Sequence, residues 1–381
     1  MKNNIFKENG MSILVGLLMG ILILNFFLPK KGSQIPLEEF ALGKNTKTSM
    51  ASVGNKKIHC SDLKDLNFCI EGYKIDRNNS PVILWLGNSQ LHAINQYQLG
   101  NETAAPQIHR ILKEYNFHTL TLSQPNANLQ EHYLLFTYLL DRLPLKTLIL
   151  PIVFDDMREN EIRTDIKRVL KDQASYKRIN ETLLGKSLIS RFNDKDLADN
   201  KSNVLKDTKQ TEFENLLDEK LGNIWSLWTK RDIFRGELLG KLYLLRNSVF
   251  GIKATTTRKI IKGSYVKNIN AYQDILKLAL DNKIKVLVYI PPIRNDIKIP
   301  YDVKEYNSFK NEIKNIAEEY KVYFTSLEDL VPSEFWGRKA STNLKGDEEV
   351  DFMHFQAEGH RLLAEAIFLE ISNIWQLSKK P

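Results

Sequence analysis

Apolar and polar positions along the chain follow two periods. Three short continuous apolar runs, PVILWLG (81–87), FHTLTLS (117–123) and KTLILPIVF (146–154), have the character of strands buried on both faces. Between them, residues 102–115 and LQEHYLLFTYLLDRL (129–143) carry apolar positions at helical spacing. The same alternation returns later. NAYQDILKLALDNKI (270–284) reads as a helix, KVLVYIPPI (285–293) as a strand, YNSFKNEIKNIAEEYK (306–321) as a helix and VYFTSLEDL (322–330) as a strand. AEGHRLLAEAIFLEISNIWQL (357–377) closes the chain as an amphipathic helix. Strand and helix in regular alternation predict a parallel sheet with right-handed crossovers, an α/β fold.

Residues 158–265 interrupt this rhythm. They are dense in charge, lack proline and favour helix formers, as in TEFENLLDEKLGNIWSLWTKRDIF (211–234), so they read as a helical insertion. IWSLW (224–228) and LLRNSVFGI (244–252) would supply its apolar face, and the tryptophans either pack in a core or meet a membrane or partner. The N-terminus differs again. MSILVGLLMGILILNFFL (11–28) is apolar and uncharged, and at about 1.5 Å per residue it nearly covers the ~30 Å hydrocarbon core. Its length and its bulky Phe-Phe-Leu end favour an uncleaved signal anchor over a cleaved signal peptide. Lys2 and Lys7 before it and Lys30 and Lys31 after it leave the orientation open. A cytosolic stub with everything else exported is the simplest topology, a single pass through the cytoplasmic membrane. The expected division is stub 1–10, anchor 11–28, polar stalk and lead-in 29–80, first core part 81–157, insertion 158–265 and second core part 266–381.

Composition adjusts this picture in a few places. At 43% hydrophobic and 26% charged, 381 residues hold material for a sizeable core, which excludes a disordered or collagen-like chain. The balance of 54 Lys+Arg against 46 Asp+Glu is spread along the chain without a like-charge block, so no nucleic-acid arm is indicated. Cys60 and Cys69 are either a disulfide of an exported domain or two thiols. The histidines show no metal-ligand spacing and no glycine-rich phosphate loop occurs, so neither a metal nor a nucleotide cofactor is expected.

Two short motifs carry chemistry. Gly87-Asn88-Ser89-Gln90 directly follows the first strand. A serine in a strand-to-helix turn exposes its hydroxyl and places its own N–H beside it, a nucleophile and an oxyanion donor together. Alone, it reads more readily as a helix N-cap. Asp351-Phe352-Met353-His354 precedes the last helix. This i, i+3 spacing lets a carboxylate hold one ring nitrogen of the histidine so that the other acts as general base.

Together these motifs resemble those of the SGNH/GDSL hydrolase superfamily, with GNSQ (87–90) as its Gly-x-Ser block and DFMHFQAEGH (351–360) as its Asp-x-x-His block, Gly359 included. The resemblance covers about 81–155 and 270–377 and implies a three-layer α/β/α fold. It also implies Ser89 as nucleophile, His354 as base and Asp351 as the residue orienting it. The middle blocks depart from the family pattern. The second strand ends in Ser123-Gln124-Pro125-Asn126-Ala127-Asn128 without the expected glycine, and the third in Phe154-Asp155-Asp156-Met157-Arg158 without the expected asparagine. The oxyanion and substrate candidates are therefore Asn88, Gln90, Asn126, Asn128, Asp155, Asp156, Arg158 and Arg294, the last in a PPIR run (291–294). Asp155, Asp156 and Arg158 either bind substrate or form a loop salt bridge.

An anchor, an exported SGNH domain and imperfect middle blocks are similar to the DltD-type and alginate-acetylation-type subgroup. That resemblance implies transfer of an acetyl- or D-alanyl-type acyl group to a cell-envelope polysaccharide or polyol acceptor, beside a membrane-bound O-acyltransferase. Two functional readings follow, an anchored serine acyltransferase or esterase, and a non-catalytic polymer-binding or assembly subunit on the same fold.

Overall fold

The structure, a computed structural model, describes residues 42, 45–61, 63–77, 80–192, 231–344 and 346–377. The expected anchor 11–28, the stub before it and the IWSLW run lie outside the described residues. No helix among the described residues is long and apolar enough to cross a membrane.

Six strands form one parallel sheet: β1 (His59–Cys60), β2 (Val82–Gly87), β3 (His118–Ser123), β4 (Leu145–Pro151), β5 (Lys285–Ile290) and β6 (Tyr323–Ser326). Their spatial order is β6-β5-β4-β2-β3-β1. The chain moves from β2 to β3 on one side and then crosses back to β4 on the other. The order therefore reverses at β2, the place where open α/β sheets leave a crevice beyond the strands' carboxyl ends.

Side chains along β2 alternate between two helical layers, as the strand period of two requires. Ile83 and Trp85 face α2 (Ala104–Lys113) and α9 (Ala357–Trp375). Val82, Leu84 and Leu86 face α3 (Leu129–Leu139), α7 (Lys262–Asp281) and α8 (Val303–Glu319). The fold is thus a three-layer α/β/α arrangement around a mostly parallel sheet.

Part of the polar lead-in belongs to this core. Cys60 of edge strand β1 is joined by a disulfide to Cys69 of α1 (Leu63–Arg77), and both are buried. Within 158–265, α4 (Gln173–Ile179) and α5 (Leu183–Arg191) bury Ile179, Leu184 and Leu188 in the α3/α7 layer. Helix α6 (Arg231–Val249) follows the stretch 193–230, which lies outside the described residues.

Several predicted elements lie within a few residues of their expected bounds. The third strand stops at Pro151, after which Ile152 N–H still donates to Tyr289 O (2.9 Å) and the chain turns away. Asp351 and His354 stand on a strand, β8 (Glu349–Phe355), paired antiparallel with β7 (Trp336–Lys339).

Candidate active site

β2 ends at Gly87, where a side chain would collide with that of Leu91. The lack of a Cβ lets the chain fold straight into a short 3₁₀ turn, Ser89–Leu91. Asn88 caps this turn, its Oδ1 accepting the N–H of Gln90 at 3.0 Å, while the N–H of Leu91 donates to Asn88 O at 3.1 Å. The N–H of Ser89 is the turn's remaining donor, next to its own half-buried hydroxyl.

The partner histidine comes from a bulge. Pairing between β7 and β8 joins Trp336 to Phe355 and Arg338 to Val350, with a register shift between them that leaves 351–354 bowed out opposite Gly337. Inside the bow, Asp351 Oδ1 accepts the N–H groups of Met353 (2.9 Å) and His354 (3.0 Å), an Asx turn that brings the i and i+3 side chains to the same side. Asp351 Oδ2 lies 2.9 Å from His354 Nδ1, and His354 Nε2 lies 2.9 Å from Ser89 Oγ. With the carboxylate on Nδ1, that nitrogen holds the proton and Nε2 offers its lone pair to the serine hydroxyl.

Asp351 is fully ionised in its buried position. Burial by itself would raise its pKa, but the charge and hydrogen bond of His354, the charge of Lys339 and the Met353 N–H together outweigh this and hold it at about 2. Asn95, which the sequence did not flag, also donates to Asp351 Oδ2 at 3.2 Å and to Arg338 O at 3.1 Å. It reaches them through space that only a glycine at 337 leaves open.

The other candidates take varied places. Asn88 Nδ2 donates to Asp156 Oδ2 at 2.8 Å, so the aspartate steadies the cap of the Ser89 turn. Burial raises Asp156 well above the usual carboxylate range, against the Asn88 hydrogen bond and with the charges of Asp155 and Glu159 adding to it. Gln90 spends both amide hydrogens on carbonyls, Pro292 O and Met353 O, each at 2.8 Å, which ties the end of β5 to the histidine bow. Asn128 caps α3 through the N–H groups of Gln130 and Glu131 and donates to Glu161 O at 2.7 Å.

Asn126 is exposed, in the left-handed region (φ 51°), in a turn whose first carbonyl, Gln124 O, accepts the N–H of Ala127 at 3.3 Å. Proline second and asparagine third suit a type II turn, and the N–H of Gln124 bonds Gly87 O (3.2 Å), so the turn sits beside the end of β2. Asp155 and Arg158 form an ion pair at 3.3 Å, and Asp155 also takes Arg258 and the Tyr301 hydroxyl (3.0 Å). Arg294 holds Asp296 at 2.7 Å and Gly337 O at 3.1 Å, bracing the bow.

Beneath the site lies a group of buried imidazoles that no local spacing announces. Ser123 Oγ contacts His59 Nε2 at 2.6 Å and His92 Nδ1 at 2.7 Å. His360 accepts the N–H of Ala104 on Nδ1 (3.3 Å) and donates from Nε2 to Ala93 O (3.1 Å). Burial lowers all three, His59 to about 3, His360 to about 4 and His92 well below its ordinary value, so they are neutral. Among the described residues no group of His, Cys, Asp and Glu side chains is arranged to hold a metal.

No family model matches the chain, and no curated protein matches it. Among solved structures, an acetylxylan esterase from Geobacillus stearothermophilus aligns at 10% identity and a TM-score of 0.35, covering 76% of this chain and 94% of that one. A GDSL-like lipase from Bacteroides thetaiotaomicron aligns at 10% identity and a TM-score of 0.34, covering 80% and 98% respectively.

Proposed function

We propose that this chain is an SGNH-type serine acyltransferase or esterase. In this reading it is anchored by residues 11–28, has its catalytic domain on the extracytoplasmic side, and acts on acetyl- or D-alanyl-type esters of a cell-envelope polysaccharide. The observation that carries the reading is the continuous relay from Ser89 Oγ through His354 to Asp351, with both links at 2.9 Å.

Ser89 Oγ attacks the acyl carbon as its proton passes to His354 Nε2, and the N–H of Ser89 donates to the oxygen on which negative charge develops. Asp351 stays ionised throughout and stabilises the imidazolium. The tetrahedral intermediate expels the alcohol, which takes the proton from His354, leaving an acyl-serine. Water, or a hydroxyl of a polysaccharide or polyol, then gives its proton to His354 and attacks the acyl carbon, and the second tetrahedral intermediate expels Ser89 Oγ, which takes that proton from His354.

Two features support the location. The uncharged apolar run 11–28 suits an anchor, and a disulfide persists in an oxidising compartment. A membrane-bound O-acyltransferase would deliver the acyl group to such a domain. The test is turnover of p-nitrophenyl acetate by the full chain and by Ser89→Ala. Turnover that vanishes in the variant supports the enzyme, and equal turnover in both assigns the fold to polymer binding or assembly without catalysis.

A further inference from the structure

The last turns of α6, residues 240–249, are built inside out. Toward the protein it presents polar groups: Asn247 is fully buried and donates to Thr342 O at 2.7 Å, and Ser248 Oγ accepts the N–H of Leu344 at 2.9 Å. Away from the protein, Leu242, Leu245 and Val249 follow one another at i, i+3 and i+7 and are 51%, 47% and 72% exposed. Tyr243 and Phe250 flank this stripe at 50% and 72% exposed. A helix facing water normally turns such a stripe to the core, and clustered large apolar side chains on a surface mark a contact.

Along the chain the charge beside the stripe is of one sign, while Glu349 and Glu305 reach this segment from elsewhere in the fold to accept the N–H groups of Ala254 and Ile260. From Gly240 to Lys262 the chain carries Lys241, Arg246, Lys253, Arg258, Lys259 and Lys262 and no Asp or Glu. Among the described residues Arg258 is ion-paired, with Asp155, and no carboxylate pairs with the other five. Apolar side chains edged by cations are the chemistry of a helix lying in an anionic lipid interface.

The tether geometry agrees. Eighteen residues, 29–46, separate the end of the apolar run from Lys47, which pairs with Ile94 in the folded domain. At ~3.3–3.6 Å per residue they reach at most about 65 Å, so a domain on this tether stays near its own bilayer.

We propose that the outward face of α6, with the basic segment that follows it to Lys262, rests on the anionic headgroup surface of the membrane that holds residues 11–28. The inference rests on the anchored reading above. It gives the α/β domain a second point of attachment and so fixes which way the Ser89 crevice faces.

The test uses the full chain carrying Val249→Cys and a thiol-reactive, polarity-sensitive dye, since the two native cysteines are locked in a buried disulfide. The chain is reconstituted in phosphatidylcholine vesicles with and without phosphatidylglycerol. The expected result is flotation with both vesicles, with a several-fold gain and blue shift of emission, and shielding from iodide, in the phosphatidylglycerol vesicles. Lys241→Glu, Lys253→Glu and Lys259→Glu together should abolish that shift. Flotation with a dye that stays open to iodide overturns the α6 contact and leaves the anchor standing. A dye shielded equally in both vesicles and insensitive to charge reversal also overturns it, assigning the face to residues 193–230 or a second copy. Failure to float overturns the anchored reading and this inference with it.

Discussion

Ser89 and Ser123 stand just beyond and at the carboxyl ends of neighbouring strands, and Gly87 and Ser123 are register partners in the sheet. Both serines touch imidazoles at hydrogen-bond distance. Around Ser89 the histidine is backed by an ionised carboxylate, the hydroxyl is half-buried, and the serine's own N–H lies beside it. Around Ser123 the hydroxyl is buried between two neutral rings with no carboxylate bonded to either, and His59 Nδ1 has no hydrogen-bond partner among the described residues. The difference shows what a serine–histidine contact lacks by itself. Proton transfer from a serine needs a charge that can stabilise the imidazolium and a path for substrate to the oxygen. Without them the same pair is a buried core contact.

The comparison breaks most sharply on activity. Ser89→Ala should lower kcat for a p-nitrophenyl ester by about 10⁶-fold, by analogy with loss of a triad nucleophile, whereas Ser123→Ala should leave it within about tenfold. Steady-state kinetics on both variants checks this. Asp351→Asn should cost about 10⁴-fold in kcat, because the amide no longer favours the Nδ1–H tautomer of His354. The Ser89–His354 contact should survive in that variant's crystal structure.

The pH dependence of stability separates the two regions by window. His59, at about 3, and His360, at about 4, lie well below the ordinary imidazole value near 6.5. As pH falls from 6.5 the unfolded chain binds protons that the folded chain refuses, so stability declines by up to about 1.4 kcal/mol per pH unit for each histidine until its folded value is reached. Asp351 acts lower. Its contribution is present above about 3.8 and is lost as pH falls through about 2. Urea denaturation across pH 7 to 4 should show the steep histidine slope, unchanged in Asp351→Asn. The smallest effect is structural: Ser123→Ala should destabilise by about 1–3 kcal/mol by leaving buried ring nitrogens unpaired, without moving the pH optimum of turnover.

Much of the sheet was legible because strands buried on both faces are continuous apolar runs. FHTLTLS and KVLVYI fall within a few residues of β3 and β5. The pair Asp351 and His354 was legible because its contact is local. Three other features were not. The bow that presents this pair depends on a register shift against Gly337, a property of a pairing partner some fifteen residues away. Asn95 supports Asp351 from a loop 256 positions distant. The Ser123–His59–His92 group joins three separate segments through the sheet, and sequence spacing carries no trace of it. The side chains of Gln90 and Asn128 had the right chemistry for an oxyanion, and only their coordinates show them committed to backbone carbonyls and a helix cap.

The claim that Ser89 alone of these serines is the nucleophile is tested most directly by locating a fluorophosphonate adduct. The intact chain is treated with the probe, digested and sequenced by mass spectrometry. The expected result is a single adduct on Ser89 that disappears in His354→Ala. An adduct on Ser123, or none on Ser89 in a chain that still hydrolyses the ester, would contradict it.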